Sequence, residues 1–360
     1  EEQGGGYQFI AVRLPYGEQK DEETIVLVTP YIFYVFILKY DNITINNFKI
    51  ILSLVLFLCF VKVTMALLSV LLLILFIKNF KNLKSKMFQY IILSTSILLL
   101  FLLKNAIISG YLLYPITQFD IINFDWKQPK ELIAFYKEGT YLAGMNNIDV
   151  SSFSFIEKLK HWLYIPKLHG VFNKVYILLL IVFPLFIYKS KSRSSLFIIY
   201  TLAILQLIIL WFTSPQYRFF FVFASFILIQ IFTSIIKNKK VGVYLVALSI
   251  GLSAIPIFLN INLNAFTKNE FAMELSTFKL KNLIIPEDNT KTNTQFNKHN
   301  IEGFEFYSPN EDVFFWATGN GNLPNVNKKQ IDYIKYYYNF VPQLRTDDLK
   351  DGFKSALVEK

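Results

Sequence analysis

Long apolar runs set apart by short basic loops leave this chain few ways to fold. The runs lie at 24–39, 50–61, 63–77, 89–103, 173–188, 194–212, 217–236 and 241–262. A membrane-crossing helix needs about 20 apolar residues to span roughly 30 Å of hydrocarbon. Inside that medium the backbone must satisfy its own hydrogen bonds, which selects helices for runs of this kind. A soluble chain with 54% hydrophobic residues would interleave them with polar ones to make one-sided elements. Here they stand consecutively, and the mean hydropathy reaches +0.40. The pattern predicts an all-α polytopic integral membrane protein with about eight membrane helices, some of them short. An amphipathic external loop and a small external C-terminal tail of mixed structure complete the expected architecture.

Loop charge orients the runs. Lys78, Lys81, Lys84 and Lys86 lie in 78–88, Lys189, Lys191 and Arg193 in 189–193, and Lys237, Lys239 and Lys240 in 237–240. Cytoplasmic loops carry the excess of Lys and Arg, so these three are expected inside. The net charge of +10 is therefore read as loop lysine and not as affinity for nucleic acid. Residues 105–172, 213–216 and the tail then fall outside. An external N-terminus and an internal loop at 40–49, bounded by Lys39 and Lys49, require a break at Lys62, and a run of a dozen residues such as 50–61 then crosses only with thinning or distortion. One long helix there would reverse the upstream part. The division expected is an external segment 1–23, first membrane helices 24–104, an external loop 105–172, four membrane helices 173–262 and an external tail 263–360. The opening Glu-Glu-Gln-Gly-Gly-Gly has neither Met nor a signal-peptide pattern, so further sequence is expected upstream.

The loop 105–172 mixes aromatic residues with Asp120, Asp125, Glu131, Glu138, Asp149 and Glu157. That mixture predicts short amphipathic helices lying on the membrane surface. In the tail, GFEFYSP (303–309) and VFFWATG (313–319) predict strands, and KKQIDYIKYYYNF (328–340) suits a helix or an extended segment. NTKTNTQFNKHN (289–300) reads as a polar linker.

Chemistry concentrates at two helix ends. SPQYRFFF (214–221) puts Arg218 in the first turn of an otherwise apolar helix, at its outer end. Unpaired N–H groups and the positive end of the helix dipole meet there. A guanidinium adds a fork matched to phosphate oxygens. The plainer reading of any one such arginine is that it snorkels to lipid headgroups. KNAIISGYLLYPIT (104–117) supplies company: a second outer helix end, a turn at Gly110 and a stop at Pro115. Lys104, Tyr114, Tyr217 and Arg218 are accordingly the candidate lipid-phosphate ligands. Asp120 and Asp125 are candidate catalytic bases for an acceptor hydroxyl. Taken singly, each acid also fits a solvated loop residue, and GYLLYP fits a helix terminator with interfacial tyrosines. Cys59 is the only cysteine, so no disulfide can form within the chain. With His161, His169 and His299 only, and no HExxH, no metal site is expected. No cofactor is expected either, with a divalent metal left open.

These stretches carry a resemblance. A helix ending in a basic residue followed by GYLLYP, and SPQYRFFF with its proline and arginine opening a late helix, resemble recurrent elements of the GT-C superfamily of membrane glycosyltransferases. VKVTMALL (61–68) resembles that superfamily's element in which a short helix meets a lysine, keeping the lysine and a Thr. The layout is more specifically similar to a large family of bacterial polytopic membrane proteins, over roughly 24–355. It shares SGYLLYPITQFDIINFDWKQP (109–129), FYSP (306–309), Trp316, Leu323-Pro324, Leu344-Arg345 and DGF (351–353). Tail cysteines frequent in that family are missing here. The resemblance implies a polyprenyl-phosphate-linked sugar as donor, an active site outside the cytoplasmic membrane, and a catalytic carboxylate in a first external loop. Asp21, Glu22 and Glu23 lie upstream of the first run, where a solvated linker is the expected setting.

Three functions compete: a glycosyltransferase acting on a cell-envelope glycan, a lipid-linked-glycan flippase or transporter, and a non-catalytic envelope scaffold. Transporters favour internal repeats and ionisable groups near midplane. The chain shows no repeat and no acid within 173–262, which disfavours ion coupling. The expected partners are membrane lipid and a polyprenyl-phosphate-linked sugar.

Overall fold

The apolar runs fold as helices in the computed structural model, which describes residues 16–258, 295–310 and 321–357. Helix α1 is Tyr16–Lys39, α2 Ile45–Val61, α3 Ser69–Lys78, α4 Phe80–Leu83 and α5 Met87–Ser109. Two short helices, α6 Lys130–Gly144 and α7 Phe155–Leu163, precede α8 Leu168–Lys189, α9 Arg193–Thr213, α10 Tyr217–Ile235 and α11 Lys239–Phe258. Four helical stretches are long and apolar enough to cross a membrane: Phe80–Ser109, Leu168–Lys189, Arg193–Thr213 and Tyr217–Ile235. The apolar parts Thr24–Lys39, Ile45–Val61 and Val63–Lys78 are shorter. Helix α1 begins at Tyr16, so Asp21, Glu22 and Glu23 belong to a helix and not to a linker.

The break falls at Lys62, whose backbone is extended at φ −144, ψ 118. Beyond it Val63–Leu68 is a 3₁₀-helix. A 3₁₀ turn rises about 2 Å per residue, so Val63–Lys78 reaches about 27 Å where an α-helix of equal length reaches about 24 Å. Helix α2 reaches about 26 Å by the same reckoning. The two short runs thus form a hairpin of matched arms. Its far end is tied to the α1–α2 loop. The Asn79 amide donates to the Tyr40 carbonyl at 3.2 Å and accepts from the Ile43 N–H at 3.2 Å. Lys78 pairs with Asp41 at 2.7 Å. Loops 40–49 and 78–88 therefore share one end of the bundle, as the lysine bias requires.

At the other end, Gly110 closes α5 in the left-handed region at φ +79. A Cβ there would also stand 2.7 Å from the Lys127 Cα. The last carbonyls of a helix lack partners within it. Here the Trp126 indole donates to the Ala106 carbonyl at 3.0 Å, and the Gln128 N–H donates to the Ser109 carbonyl at 3.2 Å. The W-x-x-P segment is thereby folded back over the end of α5. Residues 130–165 form helices and no strand. Ser154 and Glu157 start α7 with a reciprocal capping box. The Ser154 N–H holds the Glu157 carboxyl below its ordinary pKa.

The tail is a small mixed unit. Strands β1 Phe296–Ile301 and β2 Phe304–Pro309 pair antiparallel, with Ile301 opposite Phe304. Glu302 and Gly303 turn the hairpin at φ +49 and +82, the mirror-type turn that matches strand twist. Residues 296–300 of the expected linker 289–300 are thus strand, and 289–294 lie outside the described residues: Phe296, with its apolar ring, and the β2 partner make a ladder that a polarity count overlooks. Helix α12, Lys328–Tyr338, stops at Asn339 with φ +46, and β3 Phe340–Leu344 pairs with β4 Phe353–Leu357. Phe304, Phe306, Ile331 and Val341 form the core of this unit. The expected strand at 313–319, and Trp316 with it, lies outside the described residues.

Candidate functional site

The direction of Arg218 is set by its neighbours on α10. Phe220 is stacked on Tyr176 at 4.5 Å and meets Trp162 edge-on at 6.0 Å. Phe223 and Phe226 pack on Phe33 of α1 at 5.2 and 4.8 Å. In lipid such packing, and not escape from water, holds helices together. Successive helical residues turn by about 100°, so this setting sends Arg218 and Phe219 toward the gap between α1 and the Lys62 break. A narrow pocket of about 10 Å³ opens there, lined by Ile25, Lys62, Thr64, Met65, Arg218 and Phe219 among others, and a phosphate enters it only as these walls part.

Two cations converge on it. The Lys62 ammonium lies 4.1 Å, and the Arg218 guanidinium 4.9 Å, from the centroid of the same Phe219 ring. Thr64 Oγ1 on the same wall is buried and has no hydrogen-bond partner among the described residues. An orphaned hydroxyl of this kind is a donor available to a ligand.

The mouth of α10 is held by the surface helices. Ser214 Oγ and Gln216 Nε2 both donate to the Thr140 carbonyl of α6, at 3.0 and 3.1 Å. The buried Trp162 indole of α7 donates to the Pro215 carbonyl at 2.7 Å. Gly144 of α6 lies so close that a Cβ would meet Pro215 Cδ at 2.6 Å. The loop 105–172 is therefore a clamp on the Ser-Pro-Gln that precedes Arg218.

Of the residues expected to bind phosphate, only Arg218 lines this pocket. Tyr217 turns the other way, stacked flat on Phe172 at 4.9 Å and edge-on to His169 at 4.7 Å, both from the start of α8. Lys104 donates to the Phe60 carbonyl at 2.9 Å, at the end of α2. Tyr114 stands beside Tyr136, whose hydroxyl is pushed up to about 12, by burial first and by Tyr114 second. Asp120 is paired with Lys127 and, at 3.2 Å, with Lys130. Asp125 receives a two-pronged bond from Arg345 of the tail, at 2.9 and 2.6 Å. That bond holds the Asp125 carboxyl below the usual carboxylate range. The second cation of the pocket, Lys62, had a visible signal in the sequence: a lone charge between two runs that had to break. No group of three or more potential metal ligands occurs among the described residues.

Fold and site together define a mostly helical protein with four helices long and apolar enough to cross a membrane and a cationic pocket at one end of its bundle. The family described as Domain of unknown function (DUF8201) matches residues 23–225, more than half of the chain, and the chain belongs to it. The matched stretch contains every residue that lines the pocket, and ends before the tail. No curated protein and no solved structure matches.

Proposed function

We propose that this chain is a multi-pass protein of the bacterial cytoplasmic membrane that takes a polyprenyl-phosphate-linked sugar at the Lys62–Arg218 pocket and transfers the sugar to an envelope glycan. Helices α1, α2 and α11 and the 3₁₀–α3 arm join the four longer helices to make about eight crossings, with the tail on the external side. The observation that carries the reading is the convergence of Lys62 and Arg218 on one ring beside the orphaned Thr64 hydroxyl. In the reaction an acceptor hydroxyl oxygen bonds to the anomeric carbon as the carbon–oxygen bond to phosphate breaks. The acceptor proton passes to a carboxylate; Asp120 and Asp125 are the candidates, and each must first leave the ion pair that holds it, with Lys127 and Lys130 or with Arg345. The polyprenyl phosphate leaves with the negative charge, and the two cations stabilise it where it develops. A guanidinium offers two parallel N–H bonds that an ammonium does not reproduce.

The test is transfer from a radiolabelled polyprenyl-phosphate sugar in vesicles holding the full-length protein. Arg218→Lys should lower product at least about 100-fold, the loss seen when one preorganised donor to a developing charge is removed. Full activity in Arg218→Ala would end the proposal. Binding of the lipid phosphate without transfer by wild type would assign the site to a flippase or scaffold instead.

A further inference from the structure

We propose a second binding site, a saccharide site in the cleft between α6, α12 and β4, as the place where the acceptor glycan lies; this role rests on the glycosyltransferase reading. The cleft has a volume of about 270 Å³, close to the lower end of the roughly 300–1,000 Å³ of small-molecule pockets. Its walls are the aromatic Tyr136, Phe340 and Phe353 with aliphatic side chains between them, and its polar side chains include Gln128, Gln330 and Lys354. None of the lining side chains is acidic, and Lys354 is the one cation among them.

The chemistry selects the ligand. Gln128 lines the cleft, but its Oε1 is buried without a hydrogen-bond partner among the described residues and meets a ligand once the side chain turns outward. A buried acceptor left unsatisfied is costly, so a ligand that donates an O–H or N–H to it removes that cost. A lipid chain leaves it unmet. A phosphate asks for more than one cation and offers nothing to the rings. A pyranose presents an apolar face of C–H groups and a rim of hydroxyls, which matches aromatic walls with side-chain amides between them. Trp126 serves as an edge and not as the platform. Phe124 stacks on it at 4.4 Å and the Arg345 guanidinium lies over its ring at 5.2 Å.

The cleft exists because the tail is clasped to the loop. Beside the Arg345–Asp125 fork, the Ser355 N–H donates to the Asp125 carbonyl at 2.7 Å and Ser355 Oγ to the Lys127 carbonyl at 2.6 Å. Those bonds hold β4 over Gln128.

The experiment is titration of the full-length protein in nanodiscs with N,N′-diacetylchitobiose, maltose and cellobiose, read by saturation-transfer NMR. At least one should bind. Gln128→Leu should weaken that binding at least about tenfold, or 1.4 kcal/mol, with the thermal midpoint unchanged or raised because an orphaned acceptor has been removed. A purely structural Gln128 would leave the affinity alone. Should Gln128→Leu fail to insert, Lys354→Met on β4 must weaken binding in its place. Arg218→Ala should keep saccharide binding while losing the lipid phosphate, so failure here and failure of the donor site are separately visible. The inference is overturned if none of the three sugars binds wild type, or if the bound sugar binds the cleft variant as tightly.

Discussion

Two glycines of α6 test the clamp on Arg218 by opposite signs. Replacing glycine by alanine inside a helix gains about 0.5–1 kcal/mol from backbone entropy. Nothing lies within 4 Å of a Cβ built on Gly139, so Gly139→Ala should realise that gain. A Cβ on Gly144 would stand 2.6 Å from Pro215 Cδ and 2.9 Å from Pro215 Cγ. A pyrrolidine ring has no rotamer by which to retreat, so either α6 or the Ser214–Gln216 turn must move. Overpacking of this kind costs about 1–3 kcal/mol, enough to outweigh the helix term. At about 2–4 °C per kcal/mol, Gly139→Ala should raise the thermal midpoint by a few degrees and Gly144→Ala should lower it by a few. The assay is a melt in nanodiscs at one fixed scan rate, since membrane proteins commonly unfold irreversibly. Movement of the turn carries Arg218 with it, so Gly144→Ala should also weaken lipid-phosphate binding, whereas Gly139→Ala should not. If both variants shift the midpoint upward, the close approach of α6 to Pro215 is wrong, and the account of how Arg218 is aimed falls with it.

The clasp should respond to acid in a defined window. The Arg345 bond depresses the Asp125 pKa, so its contribution to docking is complete above the ordinary value of about 3.9 and is lost as pH falls through the depressed one. Amides of 353–357 should therefore stay protected from hydrogen exchange at pH 5 and lose protection below about pH 4, while Asp125→Asn should lose it at pH 7; equal protection in both proteins at pH 7 would exclude the clasp. Orientation is tested by cysteine labelling at Lys350→Cys and Lys191→Cys in a Cys59→Ser background. An impermeant reagent should reach position 350 in intact cells and not 191, and the reverse would invert the topology.

Much of the scaffold was legible in the sequence because membrane helices announce themselves one run at a time. The break at Lys62 followed from charge bookkeeping, and the strand at FEFYSP from its period-2 pattern, each a local signal. The site was legible only in part. Loop charge assigns residues to an end of the bundle but not to a side of a helix. That is why Lys104 and Tyr217, at the expected end, meet Phe60 and Phe172 and do not line the pocket. From Ile97 to Leu103 helix α5 is apolar around its whole circumference, so no stripe there marks which face is inward. The pairing of Asp125 with Arg345 joins positions 220 residues apart, and the fit of Gly144 to Pro215 depends on the path of two separate segments. Neither leaves a periodic trace. One local cue was present: a glycine at the end of an amphipathic helix and a proline before an apolar one are the small and rigid shapes that close contacts use.

If Lys62 and Arg218 together hold a lipid phosphate, two ligands that differ only in that group must bind differently. Polyprenyl phosphate and the neutral polyprenol are titrated into full-length protein in zwitterionic nanodiscs, for wild type, Arg218→Ala and Lys62→Met. The account predicts that wild type prefers the phosphate at least about tenfold, or 1.4 kcal/mol, that each substitution removes most of the preference, and that affinity for the neutral polyprenol does not change. Equal binding of the two lipids by wild type, or an undiminished preference in Arg218→Ala, would contradict it.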